Sequence, residues 1–328
     1  MTEDSQFVLD EATESMDNTI KHLEHEFQGI RAGKASPAML NGVMVEYYGT
    51  TVPIEQTANI GCTDARMIVV QPFDKMTKSN VCQPAIFVTS YAAYRALQKK
   101  RSTPFACAAG LSLGEWGALC AAGVLDFDST LTVLEARGRF MQEACEATPS
   151  GMIAIVGASA EQLAELCAKT GCTVANVNSA AQQVLSGSKD AVANAATVAK
   201  ELGIKRAIPL ATAGAFHSPF MAPAREKLAP ILETITFKAP QFPVLSNVTG
   251  KPHSSDPGEI KATMLEQVTG TTNWAADVDC AKAMGCTRFV EFGPGKVLSG
   301  LVKKIDAALV TANVGDLASL DATVALLG

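Results

Sequence analysis

Gly110-Leu111-Ser112-Leu113-Gly114 spells G-x-S-x-G, the pattern that seats a serine on a sharp turn between a strand and a helix. Glycines at both ends let the backbone turn and let a substrate come close, because a Cβ there would clash. The flanks fit that setting. Upstream, Pro104 to Ala109 is a short apolar run suited to a buried strand. Downstream, Glu115 to Gly123 is Ala-rich and closes on a glycine, as a helix does. A serine alone is a poor nucleophile, and many Gly-Ser turns are only turns. A catalytic reading therefore requires a base within hydrogen-bond reach and donors for an oxyanion.

Outward from the turn, short apolar runs alternate with Ala-rich helical stretches from about Val81: Gln83 to Lys99, Phe105 to Ala109, Glu115 to Ala122 and Ser129 to Thr148. Strands alternating with helices predict an α/β fold with parallel strands. Between Gly151 and about Ala211 the order becomes β-α-β-β-α-β, with helices over Ala160 to Lys169 and Lys189 to Leu202. That order is the ferredoxin-like arrangement, expected as a small subdomain inserted in the larger one. A helix (Met221 to Thr234), a strand (Val244 to Asn247), a helix from Asp256 and a strand (Arg288 to Phe292) complete the pattern.

The N-terminal quarter reads differently. Leu9, Met16, Ile20, Leu23, Phe27 and Ile30 form an apolar stripe at helical spacing, which needs partner helices to be buried. His22 and His25 lie on that helix among glutamates and read as solvated surface residues. Gly42 to Gly49 and Arg66 to Pro72 read as strands.

At 328 residues, 48% hydrophobic and 18% charged, the chain is a globular protein of about two domains. The first 79 residues hold 12 acidic and 6 basic side chains, while the remainder balances at 21 of each. This shift suggests two segments of different origin and offers no basic surface for nucleic acid. No apolar run reaches transmembrane length, and the acidic N-terminus has no secretory pattern. Nine scattered cysteines with no C-x-x-C pair read as reduced thiols of a cytoplasmic protein, and no zinc spacing is present. Gly293-Pro294-Gly295-Lys296 lacks the earlier glycine of a phosphate loop and reads as a turn.

Arg31 to Pro37, Val45 to Thr50 and Gln71 to Lys75 resemble the N-terminal part of ribosome recycling factor, over residues 1–79. The resemblance covers the first helix of a three-helix bundle and about half of its inserted β domain. The later basic helices have no counterpart, which argues against ribosome recycling.

Five further motifs resemble malonyl-CoA:acyl carrier protein transacylase: GLSLGEW (110–116), RGRFMQEA (137–144), NVNSAAQQVLSG (176–187), AFHSPFM (215–221) and EFGPGKVLSGL (291–301). They run in order from about residue 81 to 306, within a transacylase-like domain of residues 80–328 whose ferredoxin-like subdomain spans about 151–211. The resemblance implies that Ser112 takes malonyl from coenzyme A and passes it to acyl carrier protein, with no cofactor beyond the coenzyme A thioester substrate. It implies His217 as general base and Arg137 as the cation that pairs with the malonyl carboxylate. A backbone carbonyl near Gln267 is expected to orient His217, and the Leu113 N–H to serve the oxyanion. That family begins with a strand ending in a Gly-Gln-Gly-x-Gln loop, which supplies the second oxyanion donor. Here the motif is missing, Gln28-Gly29 cannot replace it, and turnover is expected to be impaired, by about 10²–10³ in kcat for one lost donor. The other readings are a translation-factor fragment, a non-catalytic fusion that docks acyl carrier protein, and a generic serine esterase.

Overall fold

The computed structural model describes residues 35–47, 50–56, 58–64, 67–72 and 78–328. The expected helix from Leu9 to Ile30, with His22, His25 and Gln28-Gly29, lies outside the described residues. The chain divides into two compact units, Met1–Met76 and Thr77–Gly328.

In the first unit, Ser36 caps a 3₁₀ turn over Pro37–Leu40. Strands β1 (Met44–Tyr47) and β2 (Thr50–Pro53) form an antiparallel pair, and so do β3 (Ala58–Asp64) and β4 (Met67–Pro72). β1 and β4 fall where the apolar runs predict strands. β2 and β3 were not expected, because Thr50-Thr51-Val52-Pro53 is short and β3 carries Asn59, Gly61 and Asp64.

The second unit opens with α1 (Ser79–Lys100), then α2 (Leu113–Ala121) and α3 (Phe127–Ala147). Asp126 caps α3 by accepting the Ser129 N–H at 2.7 Å. α1 and α3 cross closely at Gly138, where a Cβ would run into the Ser79 carbonyl oxygen. Their interface joins a core built on Phe87, Trp116, Leu119, Leu134, Met141 and Leu228.

The subdomain follows: β5 (Ser150–Val156), α4 (Ala160–Thr170), β6 (Thr173–Ser179), β7 (Gln182–Ser188), α5 (Lys189–Glu201) and β8 (Arg206–Leu210). Its antiparallel sheet has the order β6-β7-β5-β8, the ferredoxin-like topology. Ser159 and Gln162 form a capping box that starts α4, and Gly171 ends it in the left-handed region at φ 73°. One sheet face packs Ile153, Ile155 and Leu185 against Leu166, Ala195 and Ala199 of the helices. The other face presents Met152, Ala154 and Val184 to Phe216, the neighbour of His217.

The chain returns through α6 (Ala222–Thr234), α7 (Pro257–Glu266), α8 (Trp274–Ala283), β9 (Arg288–Phe292), α9 (Val297–Ile305), β10 (Val310–Val314) and α10 (Leu317–Leu327). The parallel core is sparse: β9 and β10 pair in parallel, and Ala108 makes a single parallel bridge to Val244. The strands expected at Phe105 to Ala109 and Val244 to Asn247 are thus reduced to bridges. A strand persists as a ladder only with neighbours to pair with, and among the described residues Phe105 to Ala109 has one neighbour, on one edge.

Candidate active site

Ser112 sits where the turn enters α2, with φ 55° and ψ −107°, a backbone region that a non-glycine residue occupies only under strain. A Cβ on Gly110 would run into the Gly114 carbonyl, so this glycine is required for space. A Cβ on Gly114 would meet nothing within 4 Å, so only one of the two glycines is sterically obligatory.

The strained turn is held from outside. Asn247 Oδ1 accepts the Ser112 N–H at 2.7 Å, and Asn247 Nδ2 donates to the Gly110 carbonyl and to Asp277 Oδ2, both at 2.8 Å. Gln267 Nε2 donates to the Ser112 carbonyl at 2.9 Å and to Glu115 Oε2 at 2.6 Å. Glu115, fully buried, meets His253 Nε2 at 2.6 Å through its other oxygen. Burial and then the Glu115 charge push the Asp277 carboxyl up to about 8, so it is protonated at neutral pH.

His217 approaches from the subdomain side. Ser150 Oγ accepts the Ala215 N–H at 3.0 Å, and Ser186 Oγ donates to the Phe216 carbonyl at 2.6 Å, tying the histidine loop to β5 and β7. His217 itself has φ 53°, a second strained position facing the first. Its Nε2 lies 2.8 Å from Ser112 Oγ and its Nδ1 2.9 Å from the Gln267 carbonyl. A carbonyl only accepts, so Nδ1 carries the proton and Nε2 is free to take one from the serine. Burial lowers the His217 pKa to about 4; the nearby Arg137 charge adds to this, and the Gln267 and Gly270 carbonyls oppose it.

Arg137, 1% exposed, projects from α3. Its Nη2 donates to Ser112 Oγ at 3.0 Å and to Gln267 Oε1 at 3.1 Å, and its Nη1 to Gln83 Oε1 at 2.6 Å. Its Nε is buried without a partner, and burial lowers its pKa to about 10. None of these partners is a carboxylate: the guanidinium is a buried cation held by neutral groups beside a hydroxyl. Leu113 N–H, the first of α2, has no hydrogen-bond partner and points out of the helix start, as an oxyanion donor should.

Ser112, His217, Arg137, Gln267 and Leu113 are thus brought together at one place. Residue-by-residue reading missed Asn247, which looked like part of a strand, and Gln83, which looked like the start of a helix. Glu115 lies inside the GLSLGEW motif, yet its buried contacts with Gln267 and His253 have no sequence signal. Among the described residues no group of three or more His, Cys, Asp or Glu could hold a metal.

A buried serine–histidine pair, with a backbone carbonyl in the place of a triad's acid and a cation beside the serine hydroxyl, defines a serine acyltransferase. The transacylase from Bacillus subtilis (strain 168), named malonyl CoA-acyl carrier protein transacylase, is 40% identical over 248 residues, 74% of this chain and 78% of that protein. The acyl carrier protein S-malonyltransferase of Vibrio cholerae superposes with a TM-score of 0.73 at 38% identity, covering 77% of this chain and 84% of that one. A malonyl-transacylase solved in complex with a type II polyketide acyl carrier protein gives 0.74 at 36% identity, covering 78% and 84%. The chain belongs to the malonyl CoA-acyl carrier protein transacylase family. Ahead of that portion, the family model of ribosome recycling factor matches residues 23–87, reaching beyond residue 79 into α1.

Proposed function

We propose that this chain moves a malonyl group from malonyl-CoA to the phosphopantetheine thiol of acyl carrier protein, through an ester on Ser112, for fatty acid biosynthesis. The carrying observation is Arg137: a buried guanidinium without a carboxylate partner, 3.0 Å from Ser112 Oγ. A malonyl carboxylate supplies the missing anion and forms a bidentate pair in a dry site, whereas acetyl offers nothing to it.

Ser112 Oγ attacks the thioester carbonyl and its proton passes to His217 Nε2. The tetrahedral intermediate places its oxyanion toward Leu113 N–H, then collapses to the serine ester as the coenzyme A sulfur takes the proton from His217. The carrier thiol repeats the sequence in reverse, giving its proton to His217 and leaving Ser112 protonated. Malonyl binding also improves the base: pairing its carboxylate with Arg137 cancels part of the charge that lowers the His217 pKa. The Ser112 N–H, engaged by Asn247, is no oxyanion donor, so a single donor from this turn supports turnover and the rate is reduced accordingly.

We further propose a cytoplasmic enzyme with no cofactor, made of a recycling-factor-like segment over residues 1–79 and a transacylase domain over 80–328. Among the described residues no helix is long and apolar enough to cross a membrane. The test is incubation with radiolabelled malonyl-CoA. Label on Ser112 that passes to holo-acyl carrier protein is expected. Stable label without passage would mark a trapped acyl-enzyme, and no label would refute the catalytic reading.

A further inference from the structure

A cavity of about 780 Å³ lies beside the elbow, bordered by α1, the Phe105 to Gly110 segment, α8 and β9. Ser112, Arg137 and His217 do not line it, whereas Leu113 does, so it adjoins the acyl site at the start of α2. Much of its wall is apolar, with Phe87, Tyr91, Leu111, Val278 and Phe289 contributing. Two polar atoms lie behind that wall, out of reach of a ligand in the cavity. Asp277 Oδ1 and Trp274 Nε1 are buried there with no hydrogen-bond partner, although buried polar groups are normally satisfied.

The backbone along the wall is also one-sided. Ala108 donates its N–H to the Pro243 carbonyl, and its carbonyl accepts the Leu245 N–H, both at 2.9 Å. In an extended chain the groups of Phe105, Cys107 and Ala109 point the other way, and they have no hydrogen-bond partner. β9 repeats the situation. Val310 donates to the Thr287 carbonyl and Gly293 to the Val314 carbonyl, which directs the odd-numbered residues of this stretch toward β10. The backbone groups of Arg288, Val290 and Phe292 therefore belong to the edge that no strand covers among the described residues.

A hydrocarbon ligand would fill the apolar wall and leave every one of these backbone groups unsatisfied. An extended polypeptide satisfies both requirements, because its side chains alternate onto apolar surface while its amides lie in the plane of the open edges. We propose that this cavity is a strand-acceptor site, which takes an extended apolar peptide segment of about five or six residues from another polypeptide by β-augmentation. The five residues of β9 set that length. Gly110 and Leu111 border the cavity, so occupancy also steadies the turn that carries Ser112.

The probe is a fluorescent peptide with valine and alanine alternating over six positions and a lysine at each end. Anisotropy titration against the full chain should show saturable binding, and the peptide should raise the melting temperature. The same peptide N-methylated at alternate amides keeps its side chains but loses its ladder donors, and should bind about tenfold more weakly. Cys107→Trp, which fills the cavity, should abolish binding while the circular dichroism spectrum is retained. Absence of saturable binding to the folded chain, or equal affinity for the methylated peptide, would overturn the proposal. Displacement of the peptide by laurate at equal potency would also overturn it, by making the cavity an acyl-chain pocket.

Discussion

Asn247 Oδ1 accepts the Ser112 backbone N–H at 2.7 Å, while its Nδ2 donates to the Gly110 carbonyl at 2.8 Å, so one side-chain amide braces the Ser112 turn on both sides. Strain at Ser112 persists because such contacts over-determine it. Replacing Asn247 with alanine strands a buried N–H, a buried carbonyl and Asp277. The expected loss is about 1–3 kcal/mol in stability, read by denaturant unfolding, with a lower rate of Ser112 malonylation. Unchanged stability and rate would mean that the turn holds itself.

Arg137→Ala removes the only cation beside Ser112 Oγ among the described contacts. Charge-assisted hydrogen bonds contribute about 1.5–3 kcal/mol, so kcat/KM for malonyl-CoA should fall about 10–100-fold or more. Transfer from acetyl-CoA should be retained or improved. Competition between the two thioesters measures the ratio directly, and a preserved malonyl preference would refute the assignment.

The pKa of His217 near 4 makes a prediction about acid. The imidazole is neutral in the folded protein but charges near 6.5 when unfolded, so the unfolded state binds the extra proton between those values. Its contribution to stability is therefore complete above about 6.5 and is lost as pH falls toward 4, roughly 3 kcal/mol at most. Asp277 acts oppositely: raised to about 8, its contribution is present at low pH and is lost as pH rises from 3.8 through 8. Unfolding curves should be compared in Asp277→Asn to isolate the histidine. In kcat/KM for malonyl-CoA, which reports the free enzyme, the acid limb should fall near 4 rather than 6.5.

Gly110 and Gly114 look equivalent in the sequence and are not equivalent in space. Gly110→Ala drives a methyl into the Gly114 carbonyl and should abolish soluble, folded protein. Gly114→Ala meets open space in the first turn of α2 and should leave the melting temperature unchanged or raise it, through a gain of up to about 1 kcal/mol. Paired expression and thermal melts decide between the two.

The ferredoxin-like subdomain was legible because its signals are local. Ser159 and Gly171 punctuate α4, and apolar runs of strand length flank it. The run from Phe105 to Ala109 carries the same kind of signal, yet it forms only the bridge at Ala108, because a ladder depends on a neighbour that the run itself does not encode. The site divides along the same line. Ser112, His217, Arg137 and Gln267 stand in or near motifs, whereas Gln83 and Asn247 act through contacts across 54 and 135 residues of chain. No spacing rule reaches that far.

The bare Cα of Gly138 has a consequence beyond packing. It sets how near α1 lies to α3, and α1 carries Gln83, which grips one arm of Arg137 while Gln267 and Ser112 hold the other. A larger residue at 138 would lever α1 outward and slacken that grip, letting the guanidinium swing away from the serine. On the role proposed for Arg137, the choice of acyl group would then be retuned from a position that never meets the acyl group, by changing the gap between two helices.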